Sequence, residues 1–343
     1  MNPREIFLNA LYRRSVPRPA TGTATSVVTV DLMERVGAFF PEAHHDAEKM
    51  AMLAAAGHEE LGFDNVAPLF SVWHESSALG CNVDWGEVDR MPGCREPLCK
   101  MGDEIRIPAD LLKRPGCTVP LEALALLRRR YGDEVAVVGK AFGPWTLGYH
   151  VFGVQEFLIN TLLDPGAVKR AMATLKEVTV QFANTQVEAG ADAICLADHA
   201  TRDLCSPNAY RDFLSEIHEE LNARINCSLI LHICGDTSDR IQYIRETGLP
   251  CFHFDSKVPA RTARELAGER LSLMGGTSNL GVIQKGTPEQ VVEDVKEKIR
   301  CKIDIIGPEC AVPLNAPYAN MKLLAEEVKT YRGSSRTEQD CGA

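Results

Sequence analysis

His232 and Cys234 stand one residue apart at the end of the apolar run Leu229-Ile230-Leu231-His232-Ile233-Cys234-Gly235. A strand over residues 228–233 repeats every two residues, so both side chains leave the same face and can reach one ion. Imidazole nitrogen and thiolate sulfur are preferred ligands of zinc, and the pair supplies two of the three protein ligands that an open, reactive zinc site requires. A His-x-Cys in a strand also serves as ordinary core packing. Position favours the ligand reading: Gly235 breaks the strand, and Asp236-Thr237-Ser238 offers N-cap residues for a helix over 237–247. The pair then sits at the C-terminal end of a strand in a βα unit, where parallel α/β proteins place their chemistry.

The elements that must position these residues follow a repeating pattern. Helical spacing covers residues 3–15, stopped by Val16-Pro17-Arg18-Pro19, and again 41–62. From residue 120 onward strands and helices alternate: helix 120–131, strand 134–141, helix from 153, helix 164–189, strand 192–197, helix 207–224, strand 228–233, helix 237–247, strand 251–254, helix 259–267, strand 271–274, helix 287–300, strand 302–306 and helix 316–331. With earlier strands over 26–30 and 65–70 the count reaches eight. Eight βα strands predict a (β/α)8 TIM barrel of the α/β class, one domain over residues 1–332, with an N-terminal helical extension and a long loop insertion over 71–120. An open doubly wound sheet is the alternative arrangement. The polar tail 333–343 is expected to be disordered.

In a barrel the strand ends converge on one mouth, which brings Asp198-His199, Asp255, Thr277-Ser278 and Glu309-Cys310 toward the His-x-Cys pair. Cys310 is the third soft ligand. His232, Cys234 and Cys310 then make a His-Cys-Cys set with one open position, the arrangement of a catalytic rather than a structural zinc.

Composition excludes other classes. At 343 residues, 45% hydrophobic and 24% charged, the chain is an ordinary globular one. A net charge of −10, with no basic block beyond Arg128-Arg129-Arg130, argues against nucleic-acid partners. No apolar stretch approaches membrane-spanning length. The twelve cysteines follow no framework spacing, and the first residues carry no secretory signature, so a reducing cytoplasm is expected. No G-x-G-x-x-G or G-x-x-x-x-G-K-[ST] follows any strand, which removes the usual nucleotide sites.

Four segments carry a family resemblance: His232-Ile233-Cys234-Gly235-Asp236-Thr237, Phe254-Asp255-Ser256-Lys257-Val258, Gly275-Gly276-Thr277-Ser278 and Gly307-Pro308-Glu309-Cys310. They resemble the uroporphyrinogen decarboxylase superfamily in its methyltransferase branch, closest to the methylcobamide:coenzyme M methyltransferases. The resemblance covers most of the chain, including the segment from Met33 to His44. It implies a barrel, a zinc ion and a methylated corrinoid protein as methyl donor. The decarboxylases themselves are less similar, because the arginine-rich segment that holds their substrate's carboxylates should lie near residues 20–35 and only Arg35 is there. Decarboxylation is therefore disfavoured. The superfamily also resembles the cobalamin-independent methionine synthases, in which an acid joins the zinc; the acid nearest in position here is Asp255, as a ligand or as a hydrogen-bond partner of one.

The chemistry follows from the residues. A free thiol with pKa about 8.5 is a weak nucleophile near neutrality, and zinc deprotonates it and fixes its direction. The bound thiolate can attack a methyl group in line. Methyl on cobalt(III) suits that attack, since cobalt(I) leaves with the bonding pair. The acceptor is expected to be coenzyme M, with homocysteine or tetrahydrofolate as alternatives. The other reading is a non-catalytic corrinoid- or tetrapyrrole-binding barrel in which the cysteines only pack. Asp198 and His199 either orient a ligand or cap a loop. Tyr149 and His150, after the third strand, are candidates for lining the pocket, and Glu309 for supporting its neighbour Cys310.

Overall fold

The structure, a computed structural model, describes residues 1–331. The expectation of a disordered tail over 333–343 lies outside the described residues. Eight parallel strands form the central sheet: β1 (Ala20–Thr21), β2 (Asn65–Val66), β3 (Ala136–Phe142), β4 (Ala193–Ala197), β5 (Ser228–His232), β6 (Cys251–Phe254), β7 (Ser272–Thr277) and β8 (Ile305–Pro308). Each of β2 to β8 pairs with the strand before or after it in sequence, and β1 pairs with β8. The remaining seam, between β1 and β2, is drawn together by Asp64 N–H donating to the Thr21 carbonyl at 2.7 Å and by the Asn65 amide, which bonds both N–H and C=O of Thr23. This is the (β/α)8 barrel. It needs glycine where the strands crowd: a Cβ on Gly22 would lie 2.2 Å from Asn65 Oδ1, and one on Gly307 would lie 1.9 Å from the Gly22 carbonyl.

The N-terminal helix, Pro3–Ala10, closes the end of the barrel opposite the mouth. Asn2 caps it in a box with Glu5, and Phe7 is fully buried. Three aspartates that precede strands hold arginines at this end. Asp64 takes Arg18 in a two-pronged bond at 2.7 and 2.8 Å, Asp192 takes Arg4 and Arg128, and Asp304 takes Arg13 and Arg264.

Several expected boundaries move. The run Ser26 to Val30 is not a strand: Ser26 to Thr29 are buried outside any regular element, Val30 opens the helix Val30–Val36, and the Ser26 carbonyl and Val30 N–H bond to Val312 and Leu314 beyond β8. The first strand is instead the two residues Ala20–Thr21, too short to carry a period. The helix expected over 3–15 ends at Ala10, before Arg13 turns to φ 55°. Residues 41–62 divide into a 3-10 turn at Glu42–His44 and a helix at Ala47–Glu59. The helix expected over 237–247 begins at Ile241, because Asp236 bonds Ser238 in a turn rather than capping a helix.

Within the long insertion, helix His74–Leu79 follows β2, a small hairpin pairs Val83–Asp84 with Gly93–Cys94, and helix Pro115–Tyr131 begins five residues earlier than expected. The insertion folds over the C-terminal ends of β2 and β3. Leu98 and Cys99 N–H groups bond the Val151 carbonyl on helix Pro144–Phe152, and the Trp85 ring lies against His44, His45 and His74.

Candidate metal centre

β5 delivers His232 at its last residue, and Cys234 follows two positions on, beside the Gly235 turn (φ 85°). β8 ends at Pro308, and Cys310 follows two positions later. The barrel brings these ends together. His232 Nε2 lies 2.9 Å from Cys234 Sγ, Cys234 Sγ lies 2.9 Å from Cys310 Sγ, and all three donor atoms lie within 4.8 Å of one another. Among the described residues this is the one such group of three or more His, Cys, Asp or Glu side chains.

The surroundings suit a metal. His232 Nδ1 faces the His253 carbonyl at 3.3 Å; a proton on Nδ1 leaves the Nε2 lone pair directed at the sulfurs, the tautomer that a ligand needs. His253 is itself fixed by Nε2 donating to the Pro308 carbonyl at 2.8 Å, and its ring occupies the space that glycine leaves at Gly275, where a Cβ would approach to 2.4 Å. Burial keeps His253 neutral, far below the usual imidazole range. The hydrogen-bond contact between the Cys234 and Cys310 sulfurs holds the Cys310 thiol well below its ordinary value, although burial opposes this. The same bond pushes Cys234 upward. Two sulfurs and one correctly presented imidazole nitrogen match the donor set of an open zinc site.

The two acids beside these ligands face the backbone. Asp255 accepts the Gly235 N–H at 2.8 Å and the Lys257 N–H at 2.9 Å, so both oxygens fix the loops that carry Cys234 and follow β6. Glu309 accepts the Ser256 N–H at 3.0 Å and the Asn279 N–H at 2.7 Å, while Asn279 donates to the Cys310 and Ala311 carbonyls. These bonds make them braces for Cys234 and Cys310.

The remaining candidates lie farther out. Asp198 is fully buried, with one oxygen on the Thr146 N–H at 2.8 Å and the other 3.1 Å from His218 Nε2; it caps helix Pro144–Phe152 and makes no bond to the sulfur cluster. His199 stands at the rim, its N–H on Thr146 Oγ1 and its ring edge-on to Tyr149. Burial first, then the charge of His232, lowers its pKa, while Cys310 raises it, so it shares the electrostatic field of the cluster. The Tyr149 hydroxyl accepts from Trp145 Nε1, and burial pushes the phenol above its ordinary range. His150 bonds Ser76 and stacks on Trp73 at 4.0 Å.

Sequence reasoning missed His253, which acts through its carbonyl, and Lys140, a lysine in the middle of an apolar strand. The second carried a legible signal: a cation inside the run Val135 to Phe142 has no apolar use.

The family model described as Uroporphyrinogen decarboxylase (URO-D) matches residues 2–331. A methylated-thiol–coenzyme M methyltransferase of Methanosarcina mazei is 32% identical, with 96% of this chain and 89% of that protein covered. A methylcobamide:coenzyme M methyltransferase of Methanosarcina barkeri is 31% identical over 93% of this chain and 95% of its own. A solved structure of a methyltransferase from Methanosarcina mazei superposes with a TM-score of 0.93 at 30% identity, covering 96% of this chain and 98% of that one. With its barrel, the His-Cys-Cys cluster at the strand ends and these relatives, the chain belongs to the uroporphyrinogen decarboxylase family, in its methyltransferase branch.

Proposed function

We propose that this chain is a corrinoid-dependent methyltransferase that moves a methyl group from a methylated corrinoid protein to coenzyme M, with His232, Cys234 and Cys310 holding zinc. The observation that carries the reading is the meeting of one imidazole nitrogen and two sulfurs within 4.8 Å at the barrel mouth. Its similarity to enzymes named as coenzyme M methyltransferases supports the acceptor.

Zinc bound there supplies deprotonation and a fixed direction for the acceptor thiol. The chain's residues do the rest. The His253 carbonyl holds the His232 tautomer, and Asp255 and Glu309 hold the two loops in register. In the transfer the S–CH3 bond forms as the Co–CH3 bond breaks, and the pair stays with cobalt, which leaves as Co(I). Carbon neither gains nor loses a proton. A general base at carbon is therefore unnecessary, which agrees with Asp198 being occupied by Thr146 and His218. We place the reaction in the cytoplasm, a reading supported by the eleven described cysteines all being free thiols. No helix among the described residues is long and apolar enough to cross a membrane.

The test is loss of the methyl group from free methylcobalamin, followed in the visible spectrum with coenzyme M, homocysteine and tetrahydrofolate as separate acceptors. Zinc-loaded protein is expected to demethylate it with coenzyme M, and chelator-stripped protein to be inactive until zinc is restored. Activity indifferent to zinc would overturn the metal assignment, and activity with tetrahydrofolate alone would overturn the thiol acceptor.

A further inference from the structure

Between β3 and the long helix Pro165–Glu188 the chain stays on the mouth side of the barrel. β3 ends at Phe142 at the mouth, and its parallel neighbour β4 begins at Ala193 at the far end, so the 24-residue helix carries the chain back along the barrel and the residues before it lie at the mouth. Two helices occupy that stretch. Pro144–Phe152 is buried along its whole length and brings the Tyr149 ring edge-on to His199 at the rim, at 6.4 Å. Val154–Leu163, after the turn at Gly153 (φ 80°), buries only Phe157.

The outward residues of this second helix are apolar where a solvated helix carries charge. Leu162 and Leu163 are 84% and 78% exposed, and Val154 and Ile159 are each 45% exposed. Ile159, Leu162 and Leu163 stand at i, i+3 and i+4, which makes one stripe. The long insertion extends it. Pro97, Phe152, Val154 and Ile159 line a cleft of about 480 Å3, and a Cβ on Gly153 would lie 3.1 Å from Pro97 Cγ. Leu98, itself exposed, is held alongside by its N–H on the Val151 carbonyl. Five of the thirteen large apolar side chains that the described residues expose therefore share one patch. A single exposed leucine needs no explanation, but a contiguous group, on the order of a few hundred Å2, marks contact with another molecule.

The observations select the occupant. Residues 332–343 of the chain contain no large apolar side chain to cover the patch. A permanent dimer buries about 2,000–5,000 Å2, whereas a patch of a few hundred suits a partner that arrives and leaves. The proposed reaction demands such a partner, because the donor delivers one methyl group and must depart to be methylated again. The patch also stands on the face to which the donor's cobalt has to be presented, and a second copy seated there would obstruct it.

We infer that the apolar face of Val154–Leu163, with Pro97 and Leu98, is the docking surface for the methylated corrinoid protein, which meets it with an apolar face of its own beside the opening to its cobalt. This deepens the proposed methyl transfer and rests on that reading for the identity of the partner.

The probe is the corrinoid protein of the same cells, purified by its cobalamin absorbance, reduced to Co(I) and methylated with methyl iodide. Calorimetry measures its binding directly, and the visible spectrum follows turnover with coenzyme M. Leu162→Gln combined with Leu163→Gln is expected to weaken binding of the corrinoid protein about 10–100-fold and to raise its KM by a similar factor, the scale of losing interface anchors. The kcat at saturating donor, both constants for free methylcobalamin, zinc content and oligomeric state stay as in the native chain. Both leucines lie in solvent, so the double variant folds, which circular dichroism confirms. Met52→Gln, an exposed apolar residue on helix Ala47–Glu59, leaves every one of these quantities unchanged. No binding of the corrinoid protein to the native chain, native affinity in the double variant, or equal losses with free methylcobalamin would overturn the docking surface. So would a native dimer that the double variant converts to a monomer, which assigns the patch to a second copy. Binding that the double variant weakens, by a chain that transfers no methyl group to any thiol, would uphold the surface and overturn the methyl-transfer reading.

Discussion

Cys234 and Cys310 are 76 positions apart and touch through their sulfurs, so each is expected to matter as much as the other. Removing a group that only orients a ligand costs about 10–100-fold in metal affinity or activity. Asp255→Ala frees the N–H groups of Gly235 and Lys257 and is expected within that range, read as zinc affinity by competition with a chromophoric chelator. Cys234→Ala and Cys310→Ala exceed it, losing both bound zinc and turnover; a variant that keeps stoichiometric zinc would show that its sulfur is not a ligand. Glu75 gives a pH signature. Its carboxyl is pushed up to about 7, chiefly by burial, against an ordinary value of 4.5. Between those values the folded chain binds more protons than the unfolded one, so stability falls as pH rises through this window and the loss is complete above about 7. Glu75→Gln removes the charge, and its unfolding free energy from urea titration should exceed the native one at pH 8 by up to about 3 kcal/mol, with little difference near pH 4. A gap that does not change with pH would contradict the assignment.

The elements differ in how much of themselves they wrote into the sequence. β4, β5 and β6 are short buried runs flanked by breakers, and their positions were legible to within a residue or two. β1 was not, because two residues carry no period and a neighbouring valine-rich run imitates a strand without forming one. The His-Cys-Cys cluster was legible because His232 ends its strand and Cys234 and Cys310 each stand two positions past one, and a parallel barrel gathers such ends. The approach of His44 to His74, 6.0 Å between ring centroids, was not, because it depends on how the long insertion folds back and lays Trp85 on both. That insertion yields a prediction of its own. A cobalt–methyl group held inside another protein reaches the pocket only if the two proteins dock at the mouth, and long loops at a catalytic face are the natural docking surface. Shortening the segment between Gly86 and Arg106 should impair turnover with the methylated corrinoid protein more than with free methylcobalamin. Equal losses would mean that the segment shapes the pocket, and unchanged rates with both would remove it from docking.

At the scale of the whole molecule, the two ends of the barrel separate stability from chemistry. The far end is closed by the N-terminal helix and the arginine–aspartate pairs; in one of them, Arg18–Asp64, the carboxylate is fully buried and also accepts the Thr21 N–H at the barrel seam. Asp64→Ala leaves a buried guanidinium unpaired and should lower unfolding stability by about 3–5 kcal/mol in urea titrations. Zinc per folded chain should be unchanged, since the ligands lie at the opposite end; a matching loss of zinc would mean that the seam and the mouth are coupled. The mouth is where the central claim stands, that His232, Cys234 and Cys310 hold a zinc whose open position receives the acceptor thiol. Zinc K-edge absorption of the purified chain, with and without coenzyme M, tests it most directly. The predicted result is one zinc per chain bound by two sulfurs and one imidazole, with a third sulfur appearing when coenzyme M is added. A sulfur-free zinc environment, or one that coenzyme M at saturation leaves unaltered, would contradict it.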